Sequence, residues 1–135
     1  MAQRGHKLFT LAEALALLPR LRELLTALQT ERREMAEELR ALEQLTSAMR
    51  ANGHAAEAAR REKRLGELTA AIRSGLQQMA TLGVEVKDLD SGLVDFPSLR
   101  EGRVVYLCWR LDEPTIAYWH ELDTGFLGRE PLDQG

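Results

Sequence analysis

Cysteine is nearly missing from this chain. Cys108 is the single one among 135 residues, so no internal disulfide can form and a cross-linked framework is excluded. A reducing, cytoplasmic setting is the expected compartment. Aromatic residues are scarce, at 5%, and unevenly placed. Tyr106, Trp109, Tyr118, Trp119 and Phe126 crowd the last quarter, while the N-terminal part has only Phe9. An excess of charge is missing too. The formal net charge is -3, which argues against general nucleic-acid binding, since that needs a basic surface. No apolar run is long enough to span a membrane. The apolar stretch near the start is broken by Glu13 and Pro19 and lacks a small-residue cleavage site, so no secretory leader is expected.

Glycine is absent from the stretch that organises the rest. From Thr10 to Met49 the chain reads as one long amphipathic helix built from Leu, Ala, Glu, Arg and Gln, all good helix formers. Phe9-Thr10-Leu11-Ala12-Glu13 has the form of a capping box, in which Thr10 and Glu13 satisfy each other's backbone N–H. Leu21, Leu28, Met35, Leu42 and Met49 recur every seven residues, the period of a coiled-coil or bundle seam. About forty residues at 1.5 Å each span about 60 Å, more than a chain of this size can wrap, so part of the helix needs apolar company. Pro19 removes a donor and crowds the Leu15 carbonyl. It predicts either a break at Leu17–Pro19, with Leu11–Leu18 a separate short helix, or the first turn of a new helix.

Met1 to Lys7 are polar and expected to be loose. Gly53 suits the left-handed position that ends a helix. A second helix follows from about Ala55 to Thr81, marked by Leu65, Leu68, Ile72, Leu76 and Met79. Gly66 and Gly75 either weaken it or admit a close approach by the first helix. A short turn between two such helices makes an antiparallel hairpin. Gly83 ends the second helix and places a domain boundary there. Residues 1–82 are expected to form the hairpin and 83–135 a small β head. Up to Leu82 there are about 13 basic and 10 acidic side chains, and after it about 5 and 11, so the hairpin is mildly basic and the head acidic.

Within the head, Val84–Lys87 and Leu93–Phe96 read as short strands, the second stopped by Pro97. Arg103–Leu111 is the strongest strand signal, β-branched and aromatic. Asp112-Glu113 reads as a tight turn and Pro114–Glu121 as the returning strand. The predicted fold class is α+β: a long antiparallel helical hairpin, coiled-coil-like, with a three- to four-stranded antiparallel β-meander at its base.

The segment GVEVKDLDSGLVDFPSLREGRVVYLCWRLDEPTIAYWHELDTGFLGREPL closely resembles a bacterial family known as domain of unknown function 2203. FTLAEALALLPRLRELL is similar to that family's N-terminal helix. The KDLDSGLVDFP, YLCW and WHELDTGFLGR stretches are the specific ones, and the resemblance covers nearly the whole chain. It implies no reaction, and no catalytic residue is nominated. A helical rod with a small head also resembles, in outline only, transcript-cleavage factors of the Gre type. Those use acidic residues at the hairpin tip, and none lies between Glu43 and Glu57 here.

Two sets of residues remain as candidates. Asp95, Cys108, His120 and Glu121 are metal-ligand types, to which Asp123 could add, and a divalent metal is the one cofactor to weigh. Their spacing matches no zinc signature. Register decides much. With a two-residue turn at Asp112-Glu113, Cys108 pairs with Ala117 and His120 lies on the opposite face; a one-residue bulge puts them on the same face. The plainer reading is a small buried Cys and a hydrogen-bonded His. Asp95 could instead pair with Arg103 or Arg129. Asp88 and Asp90 lack the spacing of a calcium loop and read as turn formers. The second set is an interaction surface: Leu21, Leu28, Met35 and Leu42 on the hairpin, with Trp109 and Trp119 as an aromatic pair that either packs in the core or serves a partner. The leading expectation is a non-enzymatic interaction or scaffold protein that pairs with itself, as a dimer, or with a larger protein. The alternative is a metal- or small-molecule-binding protein, or an enzyme, with its site around Asp95 and His120.

Overall fold

The computed structural model describes residues 7–132. The expectation for Met1 to Lys7 therefore lies outside the described residues, except at Lys7. Helix α1 covers Leu11–Glu43. Its start is the capping box: the Thr10 N–H donates to Glu13 Oε1 at 2.9 Å and the Glu13 N–H to Thr10 Oγ1 at 3.1 Å. These bonds, with the Lys7 charge beside it, hold the Glu13 carboxyl below its usual range.

The break predicted at Pro19 does not occur, and α1 runs through it as one helix. A proline inside a helix costs about 3 kcal/mol. Ala14, Leu18, Leu21 and Leu25, on both sides of it, are buried. Burying a Leu contributes roughly 1.5–3 kcal/mol, so the flanking turns offset the lost bond. The other end differs as well: α1 stops at Glu43, short of Met49. Thr46 starts the chain again, its hydroxyl accepting the Met49 N–H at 3.1 Å and capping the short helix α2, Ser47–Met49. A hydroxyl that bonds the backbone locally competes with helix continuation. A wide turn, Arg50–His54, follows, with Gly53 at φ 104°. Helix α3 then covers Ala55–Leu82. Together α1 and α3 form the antiparallel helical hairpin.

The β region is a five-stranded antiparallel sheet in the order β1-β2-β3-β4-β5. The strands are β1 Glu85–Asp88, β2 Leu93–Arg100, β3 Arg103–Arg110, β4 Tyr118–His120 and β5 Glu130–Pro131. That is one strand more than the meander expected from the sequence. β5 is only two residues long, paired through Tyr118↔Pro131 and Trp119↔Glu130.

Strand β2 does not stop at Pro97 but carries it, opposite Tyr106. The Pro97 carbonyl accepts from the Phe9 N–H at 2.7 Å. In a strand a residue's nitrogen and carbonyl point the same way, so the nitrogen that cannot donate faces the outer edge and not β3. Phe9 takes over that edge where β1 ends, and the Ser98 hydroxyl donates to its carbonyl at 2.6 Å.

Backbone contacts divide the chain into two compact units. One joins the described residues up to Leu25 with those from Gln77 onward, and the other is Thr26–Leu76. In the first, one face of the sheet is apolar: Val94, Phe96, Val105, Leu107, Trp109 and Trp119 are buried. Phe9 meets Phe96 edge-on with ring centroids 5.4 Å apart. The Arg22 guanidinium of α1 lies 5.1 Å from the Trp109 ring centroid, which seats the start of α1 on this face.

The second unit is held by a seam of few residues. Leu28, Ala58 and Leu68 are buried. Gly75 admits the first helix: a Cβ there would lie 2.6 Å from Leu28 Cδ2 and 3.1 Å from its Cγ. Gly66 faces open space. The two glycines therefore respond oppositely to alanine. Gly66→Ala is expected to raise stability by about 1 kcal/mol through helix propensity, and Gly75→Ala to lower it by about 1–3 kcal/mol through overpacking against Leu28, which has no exposed side to move into. Denaturant midpoints of the two variants check this.

Candidate functional site

The other face of the sheet carries the polar residues. Asp95 on β2 lies directly opposite Cys108 on β3. It belongs to the same half of the ladder as Pro97↔Tyr106, where no mutual backbone bonds form and side chains approach most closely. On the next strand His120 lies opposite Tyr106, and Cys108 opposite Tyr118. This is one residue away from the pairing of Cys108 with Ala117 that a two-residue turn would give. The shift puts Asp95, Cys108 and His120 on one face.

Its cause is the connection between β3 and β4. Pro114–Ala117 do not form a strand; β4 is only Tyr118–His120. Arg22 donates to the carbonyls of Leu111, Glu113 and Pro114, each at 3.2 Å. The Trp109 indole donates to the Glu113 carbonyl at 3.0 Å, and the Glu113 carboxylate accepts the Arg110 N–H at 2.9 Å. The segment after Arg110 is thus a loop tied down at several carbonyls, and β4 starts later than a tight hairpin would allow.

The three side chains form one buried cluster, with their ligating atoms all within 4.8 Å of one another. His120 Nε2 is 3.0 Å from Asp95 Oδ2, and His120 Nδ1 is 2.7 Å from the Glu121 carbonyl oxygen. A carbonyl only accepts, so Nδ1 carries a hydrogen. In a neutral ring Nε2 then holds a lone pair that faces a carboxylate oxygen. One proton must lie between them, either on Nε2 or on Asp95. The second carboxylate oxygen, Asp95 Oδ1, is buried and has no hydrogen-bond partner of normal geometry. The Cys108 thiol reaches the carboxylate only as a weak donor.

Burial pushes the Asp95 carboxyl up from its ordinary 3.8, against the opposing pull of His120. It also pushes the Cys108 thiol up to about 12, with the Asp95 charge acting the same way. Next to the cluster, the Tyr106 ring lies 5.4 Å from that of His120. Its hydroxyl donates to both oxygens of Glu85, at 2.9 and 3.0 Å.

The family model described as uncharacterized conserved protein (DUF2203) matches residues 7–132. The chain belongs to this family. No curated protein and no solved structure matches this DUF2203 member.

Of the four candidate ligands the fold brings three together. Glu121 contributes its carbonyl to His120, while its carboxylate pairs with Arg103. The other arginine considered for Asp95, Arg129, pairs instead with Glu113 at 2.6 Å and stacks over Tyr118 and Phe126. Asp88 accepts from the Ser91 N–H and hydroxyl in a turn. Trp109 and Trp119 share the apolar face and are 0% and 6% exposed; Arg100 covers the Trp119 ring at 4.6 Å. Tyr106 and Arg22 have no motif that marks them, and only their long-range partners reveal their parts.

In this DUF2203 hairpin, Leu21 and Leu28 are buried, whereas Met35 and Leu42 are half-buried. Cross-helix ion pairs occupy one flank: Arg64 grips both Glu34 oxygens at 2.7 and 2.9 Å, and Arg61 meets Glu38 at 3.0 Å. At about 100° per residue, Leu39 falls across the seam from Glu34, and Leu76 across from Arg64. Both stay exposed, at 42% and 38%.

Two outcomes follow from the cluster. Because the folded carboxyl of Asp95 sits above its unfolded value, its contribution to stability is complete below pH 3.8 and is lost as pH rises through the folded value. Asp95→Asn keeps a donor toward Nε2 and carries no charge, so its stability relative to the native chain should improve as pH rises from 3.8 through the folded value and level off above it, as melts over a pH series would record. Cys108 should resist a thiol reagent at mildly alkaline pH in the folded chain and react at once after denaturation.

Proposed function

We propose that this chain is a non-enzymatic interaction protein whose helical hairpin pairs with a second copy of itself. The observation that carries this reading is the composition of the unit Thr26–Leu76. Its buried apolar side chains are few, while Met35, Leu42, Leu65 and Ile72 are half-buried and Leu39 and Leu76 exposed. Met35 and Leu42 continue the seven-residue series begun by Leu21 and Leu28 along the seam with α3, where Thr69 meets Met35, and that seam leaves them only half-covered.

Completing the burial of such a side chain is worth about 1 kcal/mol. Two copies contribute the stripe twice, and the sum competes with an association cost of roughly 4–15 kcal/mol. At the low end of that cost the balance reaches about micromolar strength, so the dimer is reversible and no tighter. Charge agrees with self-pairing: acidic and basic side chains are interspersed along both helices, so like copies can meet without a net repulsion. The ion pairs of Glu34 and Glu38 leave the opposite flank, with Leu39 and Leu76, as the contact face.

Sedimentation equilibrium at tens of micromolar tests this. The native chain should show a concentration-dependent dimer, and Leu39→Glu with Leu76→Glu should be monomeric with unchanged helix content. A native chain that stays monomeric across that range overturns the reading.

A further inference from the structure

We propose that Asp95, Cys108 and His120 are the protein ligands of one divalent transition metal of borderline-soft character, zinc being the type. The site is independent of hairpin pairing.

Four observations carry it. First, the donors come from three adjacent strands, β2, β3 and β4, and their ligating atoms already lie within 4.8 Å of one another. Around a tetrahedral zinc, donors at 2.0–2.3 Å from the metal are about 3.3–3.8 Å apart. The Nε2 to Oδ2 separation of 3.0 Å is close to that. Second, the His120 ring is already oriented as a ligand. Its Nδ1–H is fixed on the Glu121 carbonyl at 2.7 Å, so Nε2 is the nitrogen that faces the cluster; a backbone carbonyl on the far nitrogen is one of the usual supports of a metal-bound histidine. Third, Asp95 Oδ1 is a carboxylate oxygen with no hydrogen-bond partner of normal geometry, in a residue only 2% exposed. Leaving a buried acceptor unsatisfied costs about 1–3 kcal/mol, and a cation is the partner that a carboxylate, a lone pair and a thiol can share. Fourth, the charges close. A carboxylate, a thiolate, a neutral imidazole and a divalent ion sum to zero, which is the state a buried site tolerates.

The exchange balances. The proton held between Asp95 and His120 and the proton of the Cys108 thiol leave to solvent as the metal enters, and no electron is transferred. Metals bind thiolate and not thiol, so a thiol kept neutral by burial is deprotonated by the ion itself. The donor set of one oxygen, one nitrogen and one sulfur selects against magnesium and calcium, which take oxygen ligands in larger number. Three protein ligands leave a fourth position for water or a small ligand.

Cobalt(II) is the probe, because its bond to a thiolate gives a charge-transfer band in the near ultraviolet and its visible bands report tetrahedral geometry. The full chain, made without a histidine tag, is refolded with and without the ion so that a closed site is not missed for lack of access. The expected result is one cobalt per chain, a thiolate band, displacement by one equivalent of zinc and a raised Tm. Cys108→Ser should lose the band. Asp95→Asn, once its folding is checked by circular dichroism, should weaken binding by at least about 100-fold, the upper range for loss of a mere supporting contact. Substoichiometric binding after refolding, a band that survives in Cys108→Ser, or unchanged affinity in a folded Asp95→Asn overturns the proposal.

Discussion

A single guanidinium does much to fix the sheet. Arg22 projects from α1, lies against the Trp109 ring and donates to three carbonyls of the loop that joins β3 to β4. Each of those carbonyls would otherwise be an acceptor in need of a partner beside an apolar face, where an unmade bond is expensive. With the loop held this way, β4 cannot slide toward the turn. Its register follows, and side chains of a strand change faces with every residue of slip. The meeting of His120 with Asp95 and Cys108 is therefore set from the opposite side of the sheet, by a contact between residues far apart in the chain.

The two faces of the sheet divide the labour. One is filled with Val94, Phe96, Leu107, Trp109 and Trp119, against Phe9 and the first turns of α1. The other holds ionisable groups in the same state of burial. Asp95, Cys108 and His120 are buried there, with the Tyr106 ring beside His120. Burial raises the protonation range of the Asp95 carboxyl and the Cys108 thiol alike. A cluster of this kind detracts from folding unless something else is gained.

What could be read beforehand was local. The Thr10 and Glu13 cap, the glycine at the hairpin turn, the helical periods and the β-branched run at Arg103–Arg110 all act over a few residues, and each formed as its chemistry requires. The residue types of the cluster were legible for the same reason. Their grouping was not, because it depends on strand parity. A turn at Asp112-Glu113 gives one parity, and the loop anchored by Arg22 gives the other. Pro19 and Pro97 misled in one way: each removes a donor, but neighbours decide whether that donor was needed. At Pro19 buried leucines hold the turns on both sides. At Pro97 the nitrogen faces an edge where no strand asks for it. β5 was missed because two residues carry no period.

That proline has a further effect. A bare sheet margin is a template on which a foreign strand can grow, the first step of aggregation. On the outer side of β2 the margin beyond β1 offers no N–H at Pro97, and its carbonyl is already taken by Phe9. An incoming chain would find neither a donor nor a vacant acceptor there. Where its own first strand runs out, the sheet offers a foreign strand no ladder bond at Pro97.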